Sequence, residues 1–557
     1  MSRISRKVAY ISALLASTLV VATAHAKLTV HVVAPTPGSF GTTVFYEANA
    51  QNPDCANGIH AIRIYSAPHL AAVTVPGNHV ETFINLPPGS HNTVVQAWDN
   101  CGNVAKQSVA VTTTKVNGVS VFTPSAQPTS PVHVTASAQG ACAITAMRIY
   151  TAPRVNAYTI NSNKLDTFIT LRQGTYNMVA QAWDGCGNVY KRAFSVTVAP
   201  GSDKYLFAAD GGLTEFFIHD GVVTNPNAPN PPPKYTANAG NGFTAVVADP
   251  GGNFVYAIGS NIIAGFQIDR ATGKLFPMPG SPFSAVTNAT RIVAMDPNGH
   301  FLYLAHVNPT FLVDYAIDRS TGALIKAAGS FAIPRGDFPL SVGTTSNGEF
   351  AYLTTGSLSK MYGFKVNPSN GAFIPVPGNP YSVPAIFAVT VAAGPKYLYV
   401  DGTTTGLFGV AGIWGYQIGA DGSLTAVPGS PFTPPNEAFE IVQDWAGRSV
   451  WTLMCGAGPC LQGFGVTSLT IDKSDGSVES STAVDTGNSQ YSTIVEDHSG
   501  QYIYVSGQEC GACRDFEPPP PGIVGSFRLS GPGNAVPLSG PLLTGEDFGP
   551  SGIAVSP

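Results

Sequence analysis

Charge is scarce in this chain of 557 residues. Asp, Glu, Lys and Arg make up 11% of it, against roughly 25% in an ordinary globular protein. Lys and Arg never gather into a cluster, so the electrostatic footprint of nucleic-acid binding is missing. The net charge of −5 is spread along the chain with no acidic tail. Long hydrophobic runs are also lacking. The one apolar run, residues 8–22, falls short of the ~20 residues a membrane span needs. It follows Arg3, Arg6 and Lys7 and leads into Ala24-His25-Ala26. A basic stretch, an apolar stretch and a small-x-small site stand there in secretory order, so residues 1–26 read as a signal peptide rather than an uncleaved anchor. No Cys stands at the cleavage point to carry a lipid. The mature chain is expected to begin near Lys27, outside the cytoplasm, periplasmic or extracellular, with no membrane span.

Turn formers are plentiful, with 60 Gly and 45 Pro. With few charges, they imply many short strands joined by tight turns, an all-β chain too long for one core. The first part is duplicated. Cys55-Ala56 leads to Ala61-Ile62-Arg63-Ile64-Tyr65-Ser66-Ala67-Pro68, and Cys142-Ala143 leads to Ala146-Met147-Arg148-Ile149-Tyr150-Thr151-Ala152-Pro153. Gln96-Ala97-Trp98-Asp99-Asn100-Cys101-Gly102-Asn103 recurs as Gln181-Ala182-Trp183-Asp184-Gly185-Cys186-Gly187-Asn188. The repeat has the length of an Ig-like sandwich, giving two expected modules, 27–113 and 114–198. Each copy carries one cysteine before its central strand and one in the Asp-x-Cys-Gly-Asn turn. These loops meet at one end of a sandwich, which pairs Cys55 with Cys101 and Cys142 with Cys186.

From about residue 200 a second period takes over. Tyr205-Leu206-Phe207, Phe254-Val255-Tyr256, Phe301-Leu302-Tyr303, Phe350-Ala351-Tyr352 and Tyr397-Leu398-Tyr399 recur about every 50 residues, followed by Val450-Trp451 and Tyr502-Ile503-Tyr504. Each unit holds four strands. Turns such as Asp296-Pro297-Asn298-Gly299 and Asp318-Arg319-Ser320-Thr321-Gly322 join them. The first unit lacks an inner strand, and the C-terminal Gly552-Ile553-Ala554-Val555 can supply it. That phase offset predicts a seven-bladed β-propeller over 199–557, closed by its last strand. Turn chemistry accounts for the Asp-rich turns without calcium. Phe266, Tyr315, Phe364 and Tyr416, in the third strands, are expected to pack blade against blade.

The Phe-x-Tyr strands, Asp-Pro-x-Gly turns, Ile-Asp-x-x-Thr-Gly-x-Leu hairpins and Pro-Gly-Ser-Pro-Phe exits at 279–283 and 428–432 resemble the secreted lactonase-like and Tyr-Val-Thr-Asn-repeat propellers. The first module pair likewise resembles the Ig-like domains of secreted bacterial proteins. The resemblance implies the fold. It carries over no catalytic residue, because no catalytic motif matches and the Asn typical of the repeat is replaced, for instance by Tyr352-Leu353-Thr354-Thr355.

Binding is expected on the top face, where second-to-third strand loops and blade crossings lie. His300 and His498 fall in bottom turns and His219 ends a third strand, so only His306 points upward and a three-histidine metal centre is excluded. The candidates for a polar ligand are Arg291, His306, Arg335, Asp337, Glu437, Glu440, Glu546 and Asp547. Cys455, Cys460, Cys510 and Cys513 sit in top loops of adjacent blades and suggest two local disulfides, Cys455–Cys460 and Cys510–Cys513. A four-thiolate zinc site is the alternative. No cofactor is expected. The leading expectation is a non-enzymatic exported binding protein for a polar ligand, a glycan or an envelope or extracellular protein, with the Ig-like pair as a stalk. The alternative is a lactonase-like hydrolase of a polar, carbohydrate-derived substrate. A quinone-dependent dehydrogenase ranks behind both.

Overall fold

The computed structural model describes residues 28–122, 128–228, 230–236, 242–259, 261–284, 289–307, 310–356, 359–384, 387–403, 411–434, 437–445, 447–455, 465–485, 489–509, 522–531, 533–544 and 551–557. Among them every regular element is a β-strand, and no helix is long and apolar enough to cross a membrane.

The duplicated part forms two sandwiches. In the first, strands Thr29–Ala34, Thr43–Gln51 and His79–Asn85 form a sheet. It packs on a second sheet of Gly38–Phe40, Ile59–Ala67, Leu70–Pro76, Gly89–Asp99 and Val104–Thr113. Alternating inward residues such as Val44, Tyr46, Ile62, Ile64, Val95 and Ala97 meet in one core. The second copy repeats this with a core around Val134, Ala136, Met147, Ile149, Ala180 and Ala182. The duplication extends to single contacts. Arg63 lies over Trp98 at 5.1 Å, and Arg148 over Trp183 at 5.5 Å. Cys55–Cys101 and Cys142–Cys186 are disulfides, each with Cα atoms 5.9 Å apart. They tie the loop before the central strand to the Asp-x-Cys-Gly-Asn turn, as the duplication predicts.

The remainder is a closed ring of seven blades among the described residues, each a ladder of four strands, with a two-residue fifth strand pairing on the third strand in four of them. The inner strands, from blade 1 to blade 7, are Gly552–Ser556, Phe243–Ala248, Ala289–Met295, Pro339–Thr344, Phe387–Ala393, Glu437–Gln443 and Ser489–Glu496. Each touches the next, and Ser489–Glu496 touches Gly552–Ser556. The last strand pairs with Tyr205–Ala209, from Tyr205 opposite Ser556 to Ala209 opposite Gly552, which completes blade 1 and closes the ring.

The recurring aromatics explain how the blades are joined. The pair in each second strand, at i and i+2, points to one face of the sheet, and the third-strand aromatic stands opposite the residue between them and points to the other, so together they fill the space between blades. Phe266 packs with Tyr205 and Phe207 of blade 1, Phe364 with Phe301 and Tyr303 of blade 3, and Tyr416 with Phe350 and Tyr352 of blade 4. The second aromatic of the pair also makes a polar staple. Tyr256 donates to the carbonyl of Gly322 at 2.8 Å, Tyr352 to Gly422 at 2.9 Å and Tyr399 to Gly476 at 2.7 Å. In each case the glycine ends the outer hairpin of the following blade. Gly476 has φ +83°, and a Cβ there would lie 2.5 Å from the Tyr397 ring. The hairpin glycine thus serves both the turn and the close approach of the neighbouring blade.

The sandwiches are not a free stalk. They dock on the face of the propeller that carries the Asp-Pro-x-Gly turns. Thr167 donates to Asn298 of blade 3 at 3.0 Å, and Tyr158 meets His300 Nδ1 at 3.1 Å. Arg172 bonds Asp444 of blade 6 at 2.9 Å and the carbonyl of Gly500 in blade 7 at 3.3 Å, and stacks on Trp445. Arg319, in the blade 3 hairpin, pairs with Glu81 of the first sandwich at 3.3 Å and with Asp249 of blade 2, and lies over Phe168 of the second. Charged and aromatic side chains on the sandwich surfaces find complementary partners in the turns, and this draws the modules onto the ring.

Candidate functional site: an axial channel

Six of the seven inner strands carry a register irregularity against their partners, between Phe243 and Ala245, Ala289 and Val293, Pro339 and Ser341, Ala388 and Val391, Ala438 and Glu440, and Tyr491 and Thr493. A bulge adds a residue to one strand and re-aims the side chains beside it. Here it turns polar side chains toward the axis. The resulting cavity, about 550 Å³, is lined by Ser341, Thr390, Glu440, Ser492, Thr493 and Ser551, with Val246, Ile292, Val293 and Val342 between them.

These polar groups form a belt that passes from blade to blade. Ser341 Oγ accepts from Val391 N–H at 3.3 Å, and Thr390 Oγ1 accepts from Ile441 N–H at 3.0 Å. Thr493 Oγ1 donates to Glu440 Oε1 at 3.5 Å. Ser551 Oγ donates to the carbonyl of Thr244 at 2.8 Å. Behind Thr390 lies Asp401, fully buried, whose Oδ1 accepts from Thr390 N–H at 2.5 Å and from Thr390 Oγ1 at 2.8 Å. Burial raises the Asp401 carboxyl to about 7 despite those two donors.

The second sandwich crosses the channel axis on the docked face. Thr167 is held by blade 3 and Arg172 by blade 6. In a ring of seven, blades three apart stand on opposite sides of the axis. Five residues span at most about 18 Å, so residues 167–172 run across the axis beneath the channel. Phe168 on this segment reaches the blade 2 turn, where a Cβ on Gly251 would come within 2.7 Å of its ring.

Of the residues expected at a top-face site, Glu440 lines the channel. It lies in the inner strand Glu437–Gln443 rather than in a crossing loop. Glu437 begins that strand, and Arg291 lies in Ala289–Met295. Arg335 is exposed in the crossing to blade 4. Asp337 beside it is buried, with its carboxylate accepting from Phe338 N–H at 3.0 Å. His306 is fully buried and stacks on Phe311 with ring centroids 4.6 Å apart. The expected cluster is thus divided between channel, blade interior and surface. Glu546 and Asp547 lie outside the described residues, as do Cys460, Cys510 and Cys513. Cys455 ends a described strand, Ser449–Cys455, but both further disulfides and the zinc alternative depend on those undescribed partners.

Sequence reasoning missed the hydroxyl belt, Asp401 and the docked face. Asp401 did leave a signal, an acid closing the otherwise apolar Tyr397-Leu398-Tyr399-Val400 strand.

The docked face holds a second polar cluster. Glu47, Glu81 and His133 bring ligand atoms close enough for a cation. Their charges are already met. His133 faces Glu47 Oε2 at 3.0 Å with one ring nitrogen and Asp166 Oδ1 at 2.8 Å with the other, and Glu81 pairs with Arg319. Burial disfavours the His133 cation, but Glu81 and Asp166 outweigh it and raise its pKa well above the usual value. The cluster is an ion-pair network that binds the two sandwiches to the ring.

With this geometry in view, comparison with known proteins becomes informative. Residues 215–339 match the family model described as "Lactonase, 7-bladed beta-propeller". No curated protein matches the sequence. Solved structures with a similar fold include a functionally unknown protein from Desulfotomaculum acetoxidans, 12% identical, with a TM-score of 0.46, covering 63% of this chain and 99% of that one. A candidate 6-phosphogluconolactonase from Bacteroides fragilis is 15% identical, with a TM-score of 0.46 and coverage of 64% and 99%. The periplasmic gluconolactonase of Pseudomonas aeruginosa is 13% identical, with a TM-score of 0.43 and coverage of 61% and 98%. The fold is a β-propeller, part of which, residues 215–339, matches the lactonase model; the likeness to the solved structures is too distant to add to it.

Proposed function

We propose that this chain is a lactonase-like hydrolase that opens a small polyhydroxylated cyclic ester inside the axial channel. The observation that carries the reading is Glu440, a carboxylate set among hydroxyls in the axial cavity, within a chain part of which matches a lactonase model. Hydroxyl groups suit a polyhydroxylated ligand, since each can donate and accept. Glu440 takes a proton from water as it attacks the ester carbonyl. The ring C–O bond then breaks, and the leaving alkoxide recovers the proton, giving the open-chain hydroxy acid. The sandwiches are read as Ig-like modules, the second of which crosses the channel axis. A signal peptide over 1–26 and export complete the reading, and the two sandwich disulfides agree with an oxidising compartment.

The test is acid release from glucono-δ-lactone by purified protein, followed by pH-stat against the spontaneous rate. Glu440→Gln is expected to lose at least about a hundredfold, the low end for a general base. No acceleration by the native chain over buffer overturns the proposal. One observation favours binding without turnover. Ser492 and Ser551 give their protons to backbone carbonyls, so these hydroxyls face the channel as acceptors. Calorimetric binding of intact saccharides with no hydrolysis would select that reading.

A further inference from the structure

Two residues beyond the second aromatic of each blade's second strand, six blades carry Ala209, Ile258, Ala305, Thr354, Leu453 and Ser506, all fully buried and uncharged. Blade 5 carries Asp401 there. A buried carboxylate costs several kcal/mol unless it is paired. No charged group contributes to its state; burial raises it, and the two Thr390 donors and its own backbone N–H lower it. Its Oδ2 is buried without a hydrogen-bond partner. The neighbours do not relieve it. Ile413 stands opposite on the third strand, and Thr390 stands on the inner strand. Ile441 lies on the inner strand of blade 6, where the adjoining ionisable group is Glu440, itself an acid. The side chain shares its strand face with Tyr397 and Tyr399, whose core also includes Ile441. Packing therefore gains nothing from a carboxylate at this position.

A hydroxyl has one proton to give and two lone pairs to offer. One lone pair of Thr390 Oγ1 is taken by Ile441 N–H. If Asp401 is ionised, the Thr390 proton goes to Asp401 Oδ1, and the remaining lone pair faces the channel. If Asp401 carries a proton on Oδ1, that proton fills the second lone pair, and the Thr390 proton is left to point into the channel. We infer that Asp401 is a positioning residue that sets the direction of the Thr390 hydroxyl, so that one wall of the channel alternates between hydrogen-bond donor and acceptor. The proposal rests on the channel being the ligand site. It names the regulation of that site: protonated Asp401 supplies a donor for an ester carbonyl or a leaving oxygen, and ionised Asp401 withdraws it. Burial holds the carboxyl at about 7, so the donor is present in acid and withdrawn in mild alkali.

Two measurements on the intact chain separate this proposal from the hydrolase reading. The first needs no ligand. Infrared difference spectra across pH 5–9, native minus Asp401→Asn, should show one protonated-carboxyl band that disappears through neutral pH. Thr390→Val should shift the band because the carboxyl loses its partner. The second is the pH profile of glucono-δ-lactone hydrolysis. The native rate should fall tenfold per pH unit above the midpoint, as a single-proton donor demands. Asp401→Asn, which has no proton to lose in this range, should give a flat profile, and Thr390→Ser, which keeps the hydroxyl, should retain the native one. An Asp401 already ionised at pH 5, or a band unmoved in Thr390→Val, overturns the inference. So does an Asp401→Asn profile identical to the native one. Should the native chain hydrolyse nothing while the infrared results hold, the hydrolase reading fails and this inference stands.

Discussion

Replacing Arg319 with Met tests what holds the sandwiches to the ring. The guanidinium is 10% exposed, and its two carboxylate partners, Glu81 and Asp249, are 1% and 0% exposed. Met retains most of the bulk over Phe168 but leaves two buried carboxylates without their cation. Removing one partner from a buried pair costs about 3–5 kcal/mol, mostly from the charge left behind. The loss should depend on pH. Burial pushes Glu81 up, but Arg319, His133 and His79 together outweigh it and hold the group below its usual 4.5. A depressed carboxyl contributes stability that is present above its unfolded pKa and fades as pH falls through the folded one. Without Arg319 that contribution shrinks, and a buried carboxyl can shed its penalty by taking up a proton. The variant should therefore fall furthest behind the native chain at pH 7 and recover much of the gap by pH 4. Equilibrium urea unfolding of the intact chain at both values measures it. Adding Asp249→Asn should restore part of the loss at pH 7. A loss under about 1 kcal/mol at both pH values, the size of an exposed pair, would refute the claim that this network carries the docking.

Two further outcomes follow from the joints within the fold. Tyr399→Phe keeps the ring in its core but leaves the Gly476 carbonyl without its 2.7 Å donor; the expected cost is about 1–3 kcal/mol, read as a lower urea midpoint, with Tyr256→Phe and Tyr352→Phe behaving alike. Replacing both Cys55 and Cys101 by Ser opens a link across 46 residues; the chain-entropy model puts the loss at about 4 kcal/mol, and calorimetry should show it in a transition of the first sandwich.

The fold was legible because its signals recur in phase. An aromatic pair every 50 or so residues cannot be set by local chance, and the missing first inner strand together with the spare last one specified closure of the ring. The sandwich disulfides were legible for a similar reason, since two copies carried cysteines at matching places. The docking was not legible. Arg319 sits in Asp318-Arg319-Ser320-Thr321-Gly322, where the hairpin accounts for the segment and nothing marks Arg319 and Ser320 as the side chains that reach outward to Glu81. The modules thus read as a stalk, although Glu81, Phe168 and Arg172 belong to the contact surface.

The channel was hidden by a different cause. A period of two assigns inward and outward faces only while the register runs unbroken, and the inner strands shift register beside the axis in six blades. Past a bulge, residues read as outward face the channel, so Ser341, Thr390 and Thr493 drew no notice. Glu440 was noticed for its charge, but placed in a loop. The same device permits function to differ between blades. A bulge frees one or two side chains per blade from packing duty without altering the strand pairing on either side. Blade 6 can then present a carboxylate and blade 5 a threonine backed by a buried acid, while the aromatic pairs and hairpin glycines keep the repeat intact. Chemistry in such a ring should accordingly be sought where one blade departs from its siblings at a fully buried position, and Asp401 is that departure in the blade beside Glu440.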